Sequence, residues 1–286
     1  MNETVDFLDQ PSCSRQFERF QDEDGCRQRF GVLPPIRKNS HPFVLAASRG
    51  SLEMVKIIFK EVLESSCGFF DREIINSACI CAAAHGHREV LKFMFKDVFP
   101  NSSFFIDGET LNTCCIFAAA NGHLKVLKFL FADVFPESSF FIHRELLNNC
   151  SIHAAAHGHV KVLKFLFGRV FPENLFFLDR EIVNGCSVGA AANGHIEPLK
   201  FLFHHQESAF IFDQDVFNHC LTSAATNGQL DVLHFLLKQA SSDHHWFLKN
   251  EVLKNCCIFA SNNGHEEIVN FFSKRCISSQ PFDFDR

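Results

Sequence analysis

From residue 41 onward, apolar residues recur at helical spacing, and the whole pattern of apolar and polar positions returns about every 36 residues. Glycine marks the beat at Gly50, Gly86, Gly122, Gly158, Gly194, Gly228 and Gly264, with spacings of 36, 36, 36, 36, 34 and 36. Each full copy predicts two helices. The first opens at an aspartate (Asp71, Asp107, Asp179, Asp213) able to cap free N–H groups, with an acid two places on (Glu73, Glu109, Glu181, Asp215) that suits the helix dipole. It stops at the glycine, which tolerates the left-handed conformation that ends a helix. The second carries an apolar stripe such as Val126, Leu127, Phe129, Leu130 and Phe131, and Pro100, Pro136 and Pro172 forbid its continuation. Pro198 falls in a first turn, where a missing N–H has no partner to lose.

Leu146, Leu147, Cys150, Ile152, Ala154 and Ala155 share one broad face of a first helix, and that face must be buried. Small alanine pairs let neighbouring helices approach to about 8–10 Å, so the copies are expected to stack as an all-α helical-repeat solenoid with long loops. The segment AAANGHLKVLKFLF resembles the ankyrin repeat, whose mark is an alanine pair, a Gly-His turn and a Val-Leu-rich second helix. The likeness spans roughly residues 41–275 in seven copies. It departs from that family where NTCCI, NNCSI or NGCSV stands in place of Thr-Pro-Leu-His, and where VFPESSFFIHRE replaces the usual Gly-Ala-Asp-Val-Asn ending. The expected organisation is a flank or cap over 1–40, the repeats over 41–275 and a loose tail over 276–286.

With 286 residues, 47% hydrophobic and 21% charged, the chain has ample apolar material for a folded core. A net charge of −6 gives no bulk attraction to nucleic acid or to an anionic membrane. The opening MNETVDFLDQPSC is acidic where an export signal would be basic and then apolar, and no stretch of 18 uninterrupted apolar residues occurs, so a soluble protein is expected. Thirteen cysteines are an odd number, and they fit reduced thiols in a cytosol better than a disulfide framework. There are 36 Phe, one Trp and no Tyr.

His153, His157 and His159 have a spacing that can hold zinc. His159, however, belongs to a ladder with His87, His123, His195 and His265, and His157 alternates with asparagine between copies; the expected role is hydrogen bonding to turn carbonyls. Cys114, Cys150, Cys186, Cys220 and Cys256 share one phase, as do Cys79, Cys115 and Cys257, and they read as small buried apolar residues. A ladder of Asn76, Asn112, Asn148, Asn184 and Asn218 is expected to bond the adjacent copy. Lys56, Lys92, Lys128, Lys164 and Lys200 form a row that can dock an acidic partner but reads first as a solvated outer face, and Phe104–Phe105, Phe140–Phe141 and Phe176–Phe177 read as anchors for the loops. No phosphate-binding loop, HExxH or G-x-S-x-G motif is present, so no enzyme, cofactor or metal is expected.

Positions that vary between copies are free to address a partner. Five residues before each glycine stand Cys81, Phe117, His153, Gly189, Ser223 and Phe259; one turn earlier stand Ser77, Thr113, Asn149, Gly185, His219 and Asn255. Both series are expected on the exposed stripe of the first helices, which the ankyrin likeness implies is a concave groove. The partner-binding candidates are therefore Cys81, Phe117, His153, Ser223, Phe259, Thr113, Asn149 and His219. The function expected is a monomeric, cytoplasmic protein-interaction scaffold. A metal- or thiol-dependent regulator or enzyme built on His153, His157 and nearby cysteines is the alternative from another class, and a microbial effector delivered into a host is a variant of the scaffold reading.

Overall fold

The computed structural model describes residues 41–64, 71–99, 106–135, 144–170, 180–204, 214–242 and 250–277. The flank at 1–40, the loop prolines, the caps Asp179 and Asp213, the paired phenylalanines and residues 278–286 lie outside the described residues. Among the described residues every element is helical, in seven pairs. The first helices are α1 (Pro42–Ser48), α3 (Arg72–Ala84), α5 (Gly108–Ala120), α7 (Arg144–Ala156), α9 (Arg180–Ala192), α11 (Gln214–Thr226) and α13 (Asn250–Asn262). The second helices are α2 (Leu52–Glu64), α4 (Arg88–Phe93), α6 (Leu124–Phe129), α8 (Val160–Phe165), α10 (Ile196–His204), α12 (Leu230–Ser242) and α14 (Glu266–Ile277). α14 takes in the first two residues expected to be tail. In units two to four the second helix widens into a π-helical turn, Met94–Val98, Leu130–Val134 and Leu166–Val170. Phe99 and Phe135 there donate backbone bonds five residues back, to Met94 and Leu130.

The caps follow the sequence where they are described. Asp71 Oδ1 accepts the Glu73 N–H at 3.3 Å, and Asp107 Oδ1 accepts that of Thr110 at 2.6 Å. Helices pack in chain order: each first helix lies on the next first helix and on its own second helix, and no pair with substantial contact skips a unit. The alanine pairs Ala82–Ala83, Ala118–Ala119, Ala154–Ala155 and Ala190–Ala191 are fully buried between neighbours. Between α7 and α9 the fit is tighter, because a Cβ built on Gly185 would stand 2.7 Å from Ile152 Cδ1.

The turn between paired helices holds the units together. Gly122 has φ +73°, and a Cβ there would also fall 2.6 Å from His159 Nδ1 of the next unit, so glycine is needed twice over. That imidazole donates from Nε2 to the Ala120 carbonyl at 2.9 Å. The same bond joins His87 to Ser48, His123 to Ala84 and His265 to Thr226, each at 2.9 Å. Unit six uses an amide instead, Gln229 Nε2 donating to Ala192 at 3.1 Å. One residue before each glycine, His85 and His157 donate from Nδ1 to the carbonyl four residues back, at 2.8 Å. Asn121, Asn193, Asn227 and Asn263 do so from Nδ2, at 2.8 to 2.9 Å. Both side chains present an N–H at the same reach, which is why they alternate.

A second ladder ties the second helices. Phe59–Phe93, Phe95–Phe129, Phe131–Phe165, Phe167–Phe201 and Phe203–Phe235 meet edge to face across successive units, with centroids 5.7 to 6.3 Å apart. This interface absorbs ten of the phenylalanines. The asparagine ladder is less uniform than expected. Asn76 donates to Asp107 of the next unit at 3.0 Å, and Asn184 Oδ1 meets His219 at 3.4 Å. Asn218 instead accepts from Gln214 of its own helix, and Asn148 Oδ1 is buried with no partner.

Replacing His123 by leucine orphans the Ala84 carbonyl, and stability should fall by about 1–3 kcal/mol in urea melts. His123→Gln should keep more than half of that, because Gln229 already makes the bond. Gly122→Ala should cost more than about 1 kcal/mol, since strained φ and the imidazole clash add.

Candidate functional site

The two variable series separate in space. Cys81 and Phe117 are 4% and 9% exposed, so the expectation of an accessible stripe through them is corrected: neighbouring units close over this position. His153 and Ser223 are half-buried and Gly189 is buried. Phe259 alone in this series is exposed, at 43%, because among the described residues no unit follows its own. The series one turn earlier reaches solvent. Ser77, His219 and Asn255 are exposed, and Thr113, Asn149 and Gly185 half-exposed.

Beside this second series runs a row of acids, four of which the spacing had marked only as helix-dipole partners. Glu73, Glu109, Glu145, Glu181, Asp215 and Glu251 are all exposed. Arginines at the helix starts pair with the acids of the next unit: Arg72 with Asp107 at 3.4 Å, Arg144 with Glu181 at 3.6 Å and Arg180 with Asp215 at 2.8 Å. At such exposure these pairs contribute little to stability, about 0–1 kcal/mol each. Burial raises the Asp107 carboxyl, but the Thr110 and Asn76 donors and the Arg72 charge outweigh it and hold the group below its usual range. A cleft of about 500 Å³ opens among Arg180, Glu181, Asn184, Val216 and His219. Of these only His219 was named from the sequence as a contact; the arginine-to-acid spacing of 35 to 37 residues was the unused signal.

The histidine trio does not converge. His157 and His159 each point a ring nitrogen at a backbone carbonyl, and their rings stack at 6.4 Å, with His153 6.3 Å from His157. Among the described residues no group of three or more His, Cys, Asp or Glu side chains is arranged to hold a metal ion. Burial, with the His157 charge adding, pulls the His153 imidazole down to about 4. The eight buried thiols among the described residues are poor nucleophiles: burial pushes Cys81 up to about 11 and Cys256 to about 12, and raises Cys79, Cys114, Cys115, Cys150, Cys186 and Cys220 further. No model of a known protein family matches the chain, and no curated protein matches it.

Burial places the folded-state pKa of His153 below the unfolded value of about 6.5, so between the two the unfolded chain binds more protons. Stability is therefore complete above about pH 6.5 and should decline as pH drops toward 4, by no more than about 3 kcal/mol from this residue. His123, His159 and His195, whose burial also lowers them, act in the same direction. Urea melts at stepped pH should show a shallower decline for His153→Phe, which copies the residue found in unit three.

Proposed function

We propose that this chain is a non-enzymatic scaffold that binds a partner protein through the accessible face of its first helices, made concave by an ankyrin-like solenoid. One observation carries the reading. The buried positions that repeat are occupied by contacts within and between units, whereas the accessible series Ser77, Thr113, Asn149, Gly185, His219 and Asn255 passes from hydroxyl to amide, glycine, imidazole and amide beside an acidic border. A face that is uniform in backbone and varied in side chain suits recognition of one extended partner. Thr113, Asn149 and His219 are the contacts we favour. Phe117 and Cys81 support the face from behind.

Two observations weigh against the metal- or thiol-dependent alternative. The turn imidazoles are engaged by carbonyls, and the buried thiols of the described core, such as Cys150 on the helix of His153, are held protonated. Unpaired thiols throughout the described core also fit a reducing, cytoplasmic setting. No helix among the described residues is long and apolar enough to cross a membrane.

A photo-crosslinking amino acid placed at Thr113 or at His219 should capture one and the same protein from a native lysate, whereas Lys60 on α2 should not. After that protein is purified, Thr113→Arg with His219→Glu should weaken binding by about tenfold or more and leave the helical circular dichroism unchanged. Equal capture from Lys60, or full affinity in the double variant, would remove this face from consideration.

A further inference from the structure

The second helices carry one break in a regular charge pattern. Three residues after their glycines, five units carry an acid, Glu53, Glu89, Glu197, Asp231 and Glu267, and in three of them it pairs with the lysine three residues on: Glu53–Lys56 at 3.5 Å, Glu89–Lys92 at 3.8 Å and Glu197–Lys200 at 2.7 Å. Units three and four place lysine at both positions. Lys125 and Lys128 on α6, and Lys161 and Lys164 on α8, are all exposed, and among the described residues none forms an ion pair with a carboxylate. Lys128 instead lies over the Phe165 ring, 5.9 Å from its centroid.

α6 packs on α8, so two lysine pairs stand side by side, about 5–6 Å apart along each helix and about 10 Å between helices. Like charges at this spacing destabilise a helix. Nothing in the packing demands them, because Glu89 and Glu197 occupy the same position in the flanking units. We propose that Lys125, Lys128, Lys161 and Lys164 form a docking site for a short acidic peptide segment of a partner protein. The borders limit its size. Glu89 and Glu197 lie on either side, both exposed, and the chain as a whole is at −6, so a long polyanion or an anionic bilayer meets repulsion beyond the quartet. A segment spanning two helices does not. The site is on the opposite helix of each unit from the first-helix face, and each can fail without the other.

The experiment is fluorescence anisotropy of a labelled peptide of four glutamates, short enough to span the two helices, against the full chain at about 50 mM and about 200 mM salt. The native chain should bind saturably and more weakly at the higher salt. Lys125→Glu with Lys161→Glu restores the acid–base pattern of the flanking units; it should melt no lower than the native chain and weaken binding by about tenfold or more. Lys60→Glu with Lys254→Glu makes the same change of charge elsewhere and should alter binding less than about twofold. If the reversal variant melts early, Lys125→Ala with Lys161→Ala supplies the decisive comparison. Loss of binding in the control equal to that in the quartet variant, or no saturable binding by the native chain, overturns the proposal. So does tighter binding of phosphatidylserine vesicles or duplex DNA than of the peptide.

Discussion

A side-chain N–H reaching across a bare glycine to the preceding unit's carbonyl is the bond on which the rest of the structure depends. It satisfies an orphan acceptor at the end of a first helix, and it fixes the distance between successive turns. Because the ring lies where a Cβ would be, glycine is required at the turn for space as well as for its positive φ. With the turns locked, the alanine faces of the first helices meet at close range, and the second helices come near enough for their phenylalanines to interlock edge to face. Two ladders on two sides of each unit leave little freedom for one unit to rotate on the next.

This division of labour explains what each residue type does in the repeat. Cysteine and alanine fill narrow buried positions where larger side chains would force the units apart. Histidine appears in two roles within three residues: His157 closes its own helix from Nδ1, and His159 bridges to the previous unit from Nε2. The two roles call for opposite neutral tautomers, so the stacked rings cannot turn the same nitrogen to a common ion.

The helix pairs, their boundaries at the glycines and the burial of the Leu146–Leu147–Cys150 face were legible, because period and capping are local properties that a chain displays in one dimension. That imidazoles would meet turn carbonyls was also legible. Which carbonyl was not: the Ala120 acceptor lies 39 residues before His159, and only stacking brings it there. The phenylalanine ladder escaped notice for the same reason, since Phe131 and Phe165 look like members of one stripe on separate helices until the units are set side by side. At the candidate face, variability pointed to the right helices but not to the right depth. Phe117 and Thr113 are one turn apart on α5, and how a neighbouring unit covers the one and not the other is a tertiary fact.

Gln229 breaks the histidine series at one joint, where an amide takes over the grip on Ala192. An amide has no proton equilibrium, so that bond holds alike in neutral and acidic surroundings. The seams made by His123, His159 and His195 must each keep a half-buried ring uncharged. Acid would therefore act unevenly along the chain, loosening the middle units from one another while units five and six stay clasped.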